Sequence, residues 1–302
     1  MRYLVTGAAG FVGSHLAEAL QAAGHEVVGL DSFTDYYDPR LKEENAAALD
    51  VRRVDLAADA LDFAGYDGVF HLAGQPGVRS FGDVFGLYVE RNALASQRVF
   101  EAASRAGTRV VFSSSSSVYG EAERYPTPED TPPRPVSPYG ITKLACEHLA
   151  HAYARSFELD AVVLRYFNAY GPRQRPDMAF AALLSGPFTL FGDGGQSRSF
   201  TYVGDVVRAT VLAMEAAPPG ALYNVGGGEE ATMNEAVALL ERIAGRSFEI
   251  ERAPAVPGDQ RRTKADTTRI RQELGWEPEV GLEQGLRAQW EWASARLAHH
   301  EP

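Results

Sequence analysis

The stretch Tyr3-Leu-Val-Thr-Gly7-Ala-Ala-Gly10-Phe-Val-Gly13 decides the fold of this chain. It contains an apolar strand, the spacing Gly-x-x-Gly-x-x-Gly and the start of a helix. Glycines at this spacing permit a tight turn, a close approach of the backbone to a pyrophosphate, and close packing of the helix on the sheet. The amino terminus of the helix also offers free N–H groups and a favourable dipole to an anion. A turn without a ligand is the alternative, but the strand–turn–helix order favours a dinucleotide site.

The first half of the chain alternates short apolar runs with helical patterns, which is typical of a parallel sheet joined by crossover helices. Because such crossovers are right-handed, we expect an α/β fold with a Rossmann-type doubly wound parallel sheet. The pattern predicts strands near 2–6, 26–30, 51–54, 67–71, 108–113 and 160–166, and helices near 11–23, 90–106 and 139–157.

Beyond Gly171-Pro172 the alternation weakens. Helices are predicted near 203–217, 233–244 and 282–297, separated by shorter and more irregular segments. We therefore interpret residues 1–170 as a dinucleotide-binding domain. Residues 171–302 are interpreted mainly as a smaller α/β lobe that closes over the carboxyl ends of the strands, with room for part of the chain to return to the first domain.

Composition and charge exclude several function classes. The 302 residues are 45% hydrophobic and 23% charged, which is ordinary for a globular protein. The net charge of -11 argues against a nucleic acid or an anionic membrane as the main partner. No apolar run is long enough to cross a bilayer, and a strand starting at Arg2 leaves no room for a signal peptide. With one cysteine, Cys146, and no Cys/His cluster, we expect a cytoplasmic protein without a metal.

The second strand and the third strand each end near an aspartate that suits the cofactor. Asp31 lies about 20 residues past the glycines, where a carboxylate can bond the adenosine ribose hydroxyls. A 2′-phosphate would meet Asp31 as a like charge, so the sequence favours NAD over NADP. Asp55 could accept a hydrogen bond from the adenine amine, and a capping role for it is equally plausible.

Tyr139-Gly-Ile-Thr-Lys143 places a phenol and an ammonium four residues apart, on one face of a helix. A lysine that close stabilises the phenolate over the phenol, which makes Tyr139 a candidate general base for the oxidation of an alcohol. The spacing alone is weak evidence, but an unbroken serine run, Ser113 to Ser117, lies upstream. With the glycine turn, these residues indicate a dinucleotide enzyme.

These three signals, in this order, resemble the extended short-chain dehydrogenase/reductase family, specifically its nucleotide-sugar branch, over nearly the whole chain. The resemblance implies that Ser115 hydrogen-bonds the reacting hydroxyl, that Tyr139 removes its proton and that Lys143 binds the nicotinamide ribose. It also implies that residues 171–302 mainly bind a UDP-sugar. The cofactor-binding residues implied are Gly7, Gly10, Phe11, Val12, Gly13, Asp31, Ser32, Asp55, Leu56, Leu72, Ala73, Gly74, Tyr139, Lys143 and Tyr166.

The residues before Val118-Tyr-Gly bear on the reaction. Similar 4,6-dehydratases carry an Asp-Glu pair there, and similar UDP-glucuronate decarboxylases usually carry a glutamate. Here the two positions are Ser116 and Ser117, so elimination of water is not expected. The simplest remaining chemistry is a 4-epimerisation. In it C4 is oxidised, the keto sugar rotates in the site, and the hydride returns to the other face of C4.

Two stretches, Asp31–Lys42 and Gly171–Ala179, resemble signatures of UDP-glucuronate 4-epimerases. In that group the arginine at the Arg175 position lies at the sugar carboxylate, which a guanidinium can hold through two parallel hydrogen bonds. We expect such a clamp, with help from Ser117, to limit loss of carbon dioxide from the 4-keto intermediate. A surface arginine in an ion pair is the alternative reading.

The resemblance leaves the sugar open. Asn168 stands where many glucuronate epimerases have threonine, Ser199 replaces the aspartate of Arg-Asp-Phe, and Ser32 replaces an asparagine. A UDP-glucose 4-epimerase is therefore the main alternative, ahead of a UDP-glucuronate decarboxylase or a non-catalytic dinucleotide-binding protein. By resemblance, helices near 90–106 and 139–157 form a homodimer. The substrate-binding residues implied are Pro76, Ser115, Ser116, Ser117, Asn168, Arg175, Arg198, Asp259 and Arg262. Of these, Asn168 and Arg198 match positions that contact the UDP phosphates or ribose, and Asp259 and Arg262 match the other wall of that pocket.

Overall fold

The computed structural model describes residues 1–77, 82–255 and 260–300. Its strands are β1 (Arg2–Thr6), β2 (Glu26–Asp31), β3 (Val51–Arg53), β4 (Gly68–His71), β5 (Arg109–Ser115), β6 (Ala161–Tyr166), β7 (Ala169–Tyr170), β8 (Phe188–Phe191), β9 (Ser197–Ser199), β10 (Thr201–Tyr202), β11 (Leu222–Val225), β12 (Glu230–Thr232), β13 (Ile250–Ala253) and β14 (Arg262–Thr263). Its α-helices are α1 (Phe11–Ala22), α2 (Pro39–Ala46), α3 (Phe85–Tyr88), α4 (Ala95–Ala106), α5 (Pro138–Phe157), α6 (Ala179–Ser185), α7 (Val203–Ala216), α8 (Met233–Ala244), α9 (Thr268–Leu274) and α10 (Leu282–His300).

Seven parallel strands form the main sheet, in the order β11-β6-β5-β4-β1-β2-β3. The chain runs outward from β1 to β3 and then continues at β4, on the other side of β1. This reversal of strand order opens a crevice at the carboxyl ends of β1 and β4, where ligands of doubly wound sheets bind. The predicted Rossmann-type fold is confirmed, and each of the six predicted strands lies close to its expected position.

Side chains that alternate along the strands bury both faces of the sheet. Leu4 and Val5 are adjacent on β1, and because successive strand residues point to opposite faces they enter different cores. Leu4 packs in the core that contains Val99 of α4, and Val5 in the core that contains Val206 of α7. Within the described residues, none of the helices is both long and apolar enough to cross a membrane.

The predicted helix near 90–106 is not regular along its length. A π-helical turn, Val89–Leu94, lies between α3 and α4 and places Asn92 inside the protein. A π turn inserts an extra residue into the helical ladder, and such turns are frequent at functional sites. The helix that we predicted as one segment therefore contains a local change of pitch next to the sheet edge.

The second half of the chain contributes both to the main sheet with its helices and to the smaller lobe. α7 packs on α1, and β11 pairs with β6, so residues 203–225 extend the main sheet. A separate core of Phe180, Leu240 and Leu286 joins α6, α8 and α10 in the smaller lobe. Since part of the chain returns in this way, the domain boundary at residue 170 stays a prediction.

Candidate active site

A cavity of about 750 Å³ lies at the carboxyl ends of the sheet strands and extends to the smaller lobe. We call the side formed by residues 7–13, Asp31 and Asp55 the glycine end. We call the side formed by Asn168, Arg175 and Arg198 the arginine end. Ser115, Tyr139 and Lys143 also line this cavity, so the structure brings the three predicted catalytic residues together.

At the glycine end the backbone is packed too tightly for side chains. A Cβ atom at Gly13 would lie 2.0 Å from the carbonyl oxygen of Gly7, which is far inside contact distance. Gly7 has a φ of +71°, and its Cβ would lie 2.9 Å from the backbone nitrogen of Ala73. The left-handed backbone at Gly7 and the close contact at Gly13 explain why this turn needs glycine.

The start of α1 meets the requirements of a diphosphate. Gly10 is the N-cap residue and provides no side-chain hydrogen bond to the first turn. The unpaired N–H groups and the dipole of a helix of 12 residues therefore face the cavity, which Phe11, Val12 and Gly13 line. Because the N-cap residue makes no side-chain bond to this turn, the residues present fit the pyrophosphate of a dinucleotide.

Two aspartates border the glycine end. Asp31 accepts hydrogen bonds from the backbone N–H groups of Ala9, at 3.1 Å, and Phe33, at 2.8 Å. These bonds fix its carboxylate in the cavity wall, where its remaining lone pairs suit ribose hydroxyls and its charge disfavours an added phosphate. Asp55 also lines the cavity, and its Oδ1 accepts from the N–H of Ala57 at 2.9 Å. Residues 56–59 form a turn rather than a helix, so this oxygen of Asp55 closes a turn and does not cap a helix.

Local sequence explains where the tyrosine helix begins. The Ser137 hydroxyl accepts a hydrogen bond from the N–H of Gly140 at 3.1 Å, and Pro138 follows it at the first helical position. A Cβ at Gly140 would lie 2.5 Å from the carbonyl oxygen of Ser117. This close approach of α5 to the serine run brings Tyr139 to the same end of the cavity as the serines.

The catalytic candidates are held by short polar contacts. Lys143 is 3% exposed, its ammonium donates to the carbonyl oxygen of Ser113 at 2.7 Å, and it lies 5.8 Å from the centre of the Tyr139 ring. The Ser115 hydroxyl donates to the Ser117 hydroxyl at 3.1 Å. The buried ammonium of Lys143 therefore lies beside the Tyr139 ring, which is the arrangement that the predicted pairing of these residues requires.

Ser114 has a structural role. Its hydroxyl donates to the buried carboxylate of Glu147 on α5, and Arg165 bonds the same carboxylate through Nε at 3.0 Å and Nη2 at 2.6 Å. This buried ion pair joins β5, β6 and α5 behind the cavity. The position of Ser115 relative to Tyr139 is therefore fixed by contacts on both sides of the strand.

At the arginine end, Arg175 is already paired. Its Nε and Nη2 donate to the two oxygens of Asp177 at 3.0 Å and 3.1 Å, and the Tyr36 hydroxyl donates to Asp177 Oδ2 at 3.1 Å. Burial lowers the pKa of Arg175, but the Asp177 carboxylate and the hydroxyls of Tyr139 and Tyr36 outweigh it, so the pKa is raised. Burial, with Asp177 adding to it, raises the pKa of Tyr36 to about 12. Tyr36 is therefore a neutral donor.

Asn168 and Arg198 line the cavity beside Arg175. Asn168 has a φ of 42°, a left-handed conformation that asparagine tolerates better than most residues. Its amide donates to the carbonyl oxygen of Ser199 at 3.1 Å and to the hydroxyl of Thr263 at 2.7 Å. Arg198 donates to the carbonyl oxygen of Gln260 at 2.6 Å. Asn168 thus bonds both β9 and β14, and it also borders the cavity.

The structure does not bring Arg262 into the cavity lining. Its Nε and Nη2 donate to the two oxygens of Glu230 at 2.6 Å and 2.8 Å, and its side chain is 44% exposed. Glu230 lies opposite Ser199 in the β12–β9 register, so the carboxylate comes from the neighbouring strand rather than from position 199. To make the predicted contact with the nucleotide, Arg262 would therefore have to exchange its hydrogen bonds to Glu230 for bonds to the ligand. Asp259 lies outside the described residues.

The other predicted site residues that the structure describes line the cavity, and their roles in binding stay predictions. Within the described residues, no group of three His, Cys, Asp or Glu side chains is arranged to hold a metal ion. The cavity is lined by Leu56, Leu72, Ala73, Gly74, Pro76, Ser116, Ser117 and Tyr166, together with Ser32.

Sequence reasoning missed a polar cluster beside Lys143. The Asn92 amide accepts from the N–H of Gln75 at 2.6 Å and donates to the Thr142 hydroxyl at 3.0 Å, while Arg91 donates to Gln75 Oε1 at 2.8 Å. An asparagine within the apolar pattern of a predicted helix was the available signal. It also missed an apolar wall, which no local sequence pattern indicates, formed by Phe188, Leu190, Phe191, Phe200 and Met233.

Comparison with known proteins identifies the relatives of this chain. A model of the NAD dependent epimerase/dehydratase family matches residues 3–226. The chain is 39% identical to the UDP-glucose 4-epimerase of Mycolicibacterium smegmatis, over 95% of this chain and 96% of that protein. It is 33% identical to the UDP-glucuronate 4-epimerase of Thermodesulfobacterium geofontis, over 98% of this chain and 97% of that protein.

A solved structure agrees over nearly the same length. The UDP-glucuronic acid 4-epimerase from Bacillus cereus, in complex with UDP-glucuronic acid and NAD, has a TM-score of 0.92 and 39% identity, covering 98% of this chain and 100% of that chain. The named relatives act on both a neutral and an acidic sugar. Similarity alone therefore leaves the sugar undecided.

Proposed function

The chain belongs to the NAD dependent epimerase/dehydratase family, and we propose that it interconverts UDP-glucuronate and UDP-galacturonate. The family membership confirms the predicted resemblance and the predicted cofactor, NAD. At the coarser level the chain is an NAD-dependent UDP-sugar 4-epimerase, an isomerase. The identity of the sugar is the part that we propose from the arginine end of the cavity.

The chain's own residues account for the proton transfers. Ser115 orients the C4 hydroxyl of the sugar by a hydrogen bond, and Tyr139 removes its proton as general base. Lys143 stabilises the phenolate form of Tyr139 and remains anchored to the Ser113 carbonyl. When bound, NAD accepts the hydride of C4 and returns it, so no net oxidation occurs. After the keto sugar has rotated to present its other face to the cofactor, Tyr139 returns the proton to the C4 oxygen as C4 is reduced on that face.

The serine run favours epimerisation over elimination. Loss of water would need a carboxylic acid at the positions of Ser116 and Ser117, and both are hydroxyls that line the cavity. A hydroxyl can orient a ketone or a carboxylate, but it is a poor acid and base at neutral pH. We therefore infer that the 4-keto sugar is reduced again without elimination.

The observation that carries the proposal for a uronate is the guanidinium of Arg175 in the cavity wall. Burial lowers the pKa of Arg175, but Asp177, with smaller contributions from Tyr139 and Tyr36, keeps it raised, so the side chain is a permanent cation in the same cavity as the catalytic tyrosine. A sugar carboxylate bound there through two hydrogen bonds shares the guanidinium with Asp177 and gains charge-assisted hydrogen bonds. Together with Ser117, Arg175 would also hold that carboxylate near the plane of the C4 carbonyl and slow its loss as carbon dioxide.

The test is one preparation assayed with UDP-glucuronate and with UDP-glucose. We expect turnover of UDP-glucuronate to UDP-galacturonate, with little UDP-pentose, and much weaker turnover of UDP-glucose. Arg175→Ala removes charge-assisted hydrogen bonds and should lower kcat/KM for UDP-glucuronate by about 100-fold or more. Chromatographic separation of UDP-galacturonate, UDP-galactose and UDP-pentose measures all products together.

Arg175→Lys is the matched control, because it keeps the charge and loses the planar fork. It should recover only part of the activity on UDP-glucuronate. Wild-type protein that turns over UDP-glucose far better than UDP-glucuronate would overturn the proposed substrate. Equal activity of wild-type and Arg175→Ala protein on UDP-glucuronate would overturn the role of Arg175.

UDP-glucose is the second candidate, and Asn168 is the observation that favours it. The asparagine is the commoner residue in the neutral-sugar epimerases that the sequence resembles, and the relative from Mycolicibacterium smegmatis carries that name. The amide of Asn168 nevertheless bonds Ser199 and Thr263, so both of its described hydrogen bonds go to protein. The same two-substrate assay decides between the candidates.

A homodimer is the second proposal that follows from the family. Apolar side chains of α3, the π turn and α5 are exposed by 36–44%: Phe85, Leu87, Val89, Leu94 and Ile141. Such a patch is typical of a surface that a partner covers. We expect light scattering to give the mass of a dimer, and Val89→Asp with Ile141→Asp to give a monomer. Val136→Asp, which changes an exposed residue of the proline-rich loop, is the control.

A further inference from the structure

The loop that follows β2 crosses the cavity and contacts the segment that carries Arg175. Tyr36 belongs to this loop, and its hydroxyl donates to Asp177 Oδ2 at 3.1 Å across 141 residues of sequence. Asp177 in turn accepts from Nε and Nη2 of Arg175 at 3.0 Å and 3.1 Å. Tyr36, Asp177 and Arg175 therefore form a continuous hydrogen-bonded chain in the wall of the cavity.

This chain fixes which edge of the guanidinium a ligand can use. Asp177 occupies the Nε–Nη2 edge, so the edge formed by Nη1 and Nη2 is the one that can hold a second carboxylate. An arginine side chain is flexible. A partner that binds one edge of the guanidinium reduces the number of orientations that its other edge can take. Since the Arg175 side chain is 23% exposed, few orientations remain for it.

The loop that carries Tyr36 is itself anchored on both sides of the tyrosine. Phe33, at a φ of 50°, donates its N–H to Asp31 at 2.8 Å. Lys42 donates to the carbonyl oxygen of Thr34 at 2.8 Å. A Cβ at Gly77 would lie 2.8 Å from the Tyr36 hydroxyl oxygen, so the tyrosine packs directly on that backbone. The Tyr36 hydroxyl is held in place before any substrate binds.

We propose that Tyr36 and Asp177 are positioning residues that orient Arg175 and thereby make the enzyme select a sugar with a carboxylate at C5. The inference rests on the proposed function, because it needs UDP-glucuronate as substrate. Neither residue touches the reacting atoms. Their contribution is to the direction of the Arg175 hydrogen bonds, and through it to the angle of the substrate carboxylate against the C4 carbonyl.

Two substitutions test this with little change in volume. Tyr36→Phe removes one hydroxyl, and Asp177→Asn removes the charge that holds the Nε–Nη2 edge. For UDP-glucuronate we expect kcat/KM to fall about 3- to 10-fold in Tyr36→Phe and about 10- to 100-fold in Asp177→Asn, as for lost hydrogen bonds to charged groups. Turnover of UDP-glucose by the same preparations should change by less than about two-fold.

The second readout is the share of UDP-pentose among the products. A carboxylate that is held at the wrong angle loses carbon dioxide more readily from the 4-keto sugar, so we expect this share to rise in both variants. A general loss of folding would lower both activities without raising that share. Asp38→Asn is the matched control, because Asp38 lies on the same loop and bonds Arg40, outside the cavity lining.

The outcomes separate the two proposals. If wild-type protein prefers UDP-glucuronate and the two variants lower both sugars equally with an unchanged pentose share, the positioning role is wrong and the proposed function stands. If wild-type protein prefers UDP-glucose, both are overturned. Selective loss of UDP-glucuronate turnover with more UDP-pentose supports the inference.

Discussion

The glycine end of the cavity consists mainly of backbone, whereas the arginine end consists of charged side chains that already bond one another. At the glycine end, a Cβ at Gly13 would lie 2.0 Å from a carbonyl oxygen. At the arginine end, Arg175 and Asp177 meet at 3.0 Å, and a smaller side chain at either position removes a contact without creating a steric clash. We therefore expect changes at the glycine end to abolish function and changes at the arginine end to shift the choice of substrate.

Gly13→Ala should have the largest effect. The added methyl group meets backbone that cannot move without opening the turn, which costs about 3 kcal/mol or more when packing is that tight. We expect purified protein without bound NAD, no thermal stabilisation by added NAD and no turnover of any sugar. Gly86→Ala is the control, because in the part of the chain that the structure describes no atom beyond its own helix and chain neighbours lies within 4 Å of a Cβ at that site. Retention of NAD by Gly13→Ala would show that the glycine end tolerates side chains after all.

Tyr139→Phe should lower turnover of every UDP-sugar by about 10²- to 10⁴-fold, the contribution of a general base. Tyr139 lies between the two ends, so binding of NAD and of UDP-sugar should be nearly unchanged. Steady-state rates together with binding titrations check both statements. Tyr153→Phe on the same helix, whose hydroxyl bonds Glu101 at 2.7 Å, serves as the control. Activity that survives in Tyr139→Phe would mean that another group removes the proton.

The glycine end could be predicted from sequence because its parts are local. The turn of residues 7–13 carries its own conformational requirements, and Asp31 follows at a spacing set by one helix and one strand. The parallel strands then bring Ser115 to the same edge as Asp31. Local signals of this kind survive folding because the sheet fixes where each strand ends.

The arginine end could not be predicted from sequence to the same extent. The sequence supplied Arg175 only through a family resemblance, and Tyr36, whose hydroxyl bonds the Arg175 partner Asp177, lies 141 positions before that aspartate. No local pattern announces a hydrogen bond between segments that meet only after the lobe has packed. For the same reason the sequence placed Arg262 beside the nucleotide, while the structure pairs it with Glu230.

The next prediction concerns the pH dependence of stability, which we attribute to the buried side chain of His71 near the glycine end. His71 is buried and bonds Thr6 and Ser96, at 2.7 Å and 2.9 Å. Burial, with the Lys143 charge adding to it, lowers the pKa of His71 to about 3. In the unfolded chain the His71 imidazole takes up a proton near pH 6.5, whereas in the folded protein it stays neutral until about pH 3. The free energy of unfolding therefore keeps the full contribution of neutral His71 above pH 6.5 and loses it as the pH falls toward 3. This amounts to about 2 kcal/mol between pH 7 and pH 5.

Urea unfolding at pH 7 and pH 5 measures this loss. His71→Gln should be less stable than wild-type protein at pH 7 and should lack its share of the decline toward pH 5. His148→Gln, which changes an exposed histidine on α5, should retain the wild-type decline. An equal decline in wild-type and His71→Gln protein would exclude His71 as its source.

The smallest effect is expected where a charged pair stands outside the cavity. Glu230 holds Arg262 through two hydrogen bonds and also contacts Lys264 at 3.3 Å. The Arg262 hydrogen bond, helped by Ser197 and Lys264, lowers the pKa of Glu230 to about 2, so the carboxylate is charged at any working pH. If Arg262 binds the diphosphate as the resemblance implies, the diphosphate has to compete with this carboxylate.

Glu230→Gln removes the charge of the carboxylate that competes with the diphosphate for Arg262, and it keeps the size of the side chain. Because partly exposed ion pairs contribute about 0.2–1 kcal/mol, KM for the UDP-sugar should fall by about two- to five-fold at unchanged kcat. Arg262→Ala should instead raise KM, and high salt should reduce the difference between wild-type and Glu230→Gln protein, since screening weakens exposed pairs. Should Arg262→Ala and Glu230→Gln both leave KM unchanged, Arg262 has no part in nucleotide binding. The arginine end would then act through Arg175 and Arg198 without it, and Glu230 would serve only to join β12 to β14.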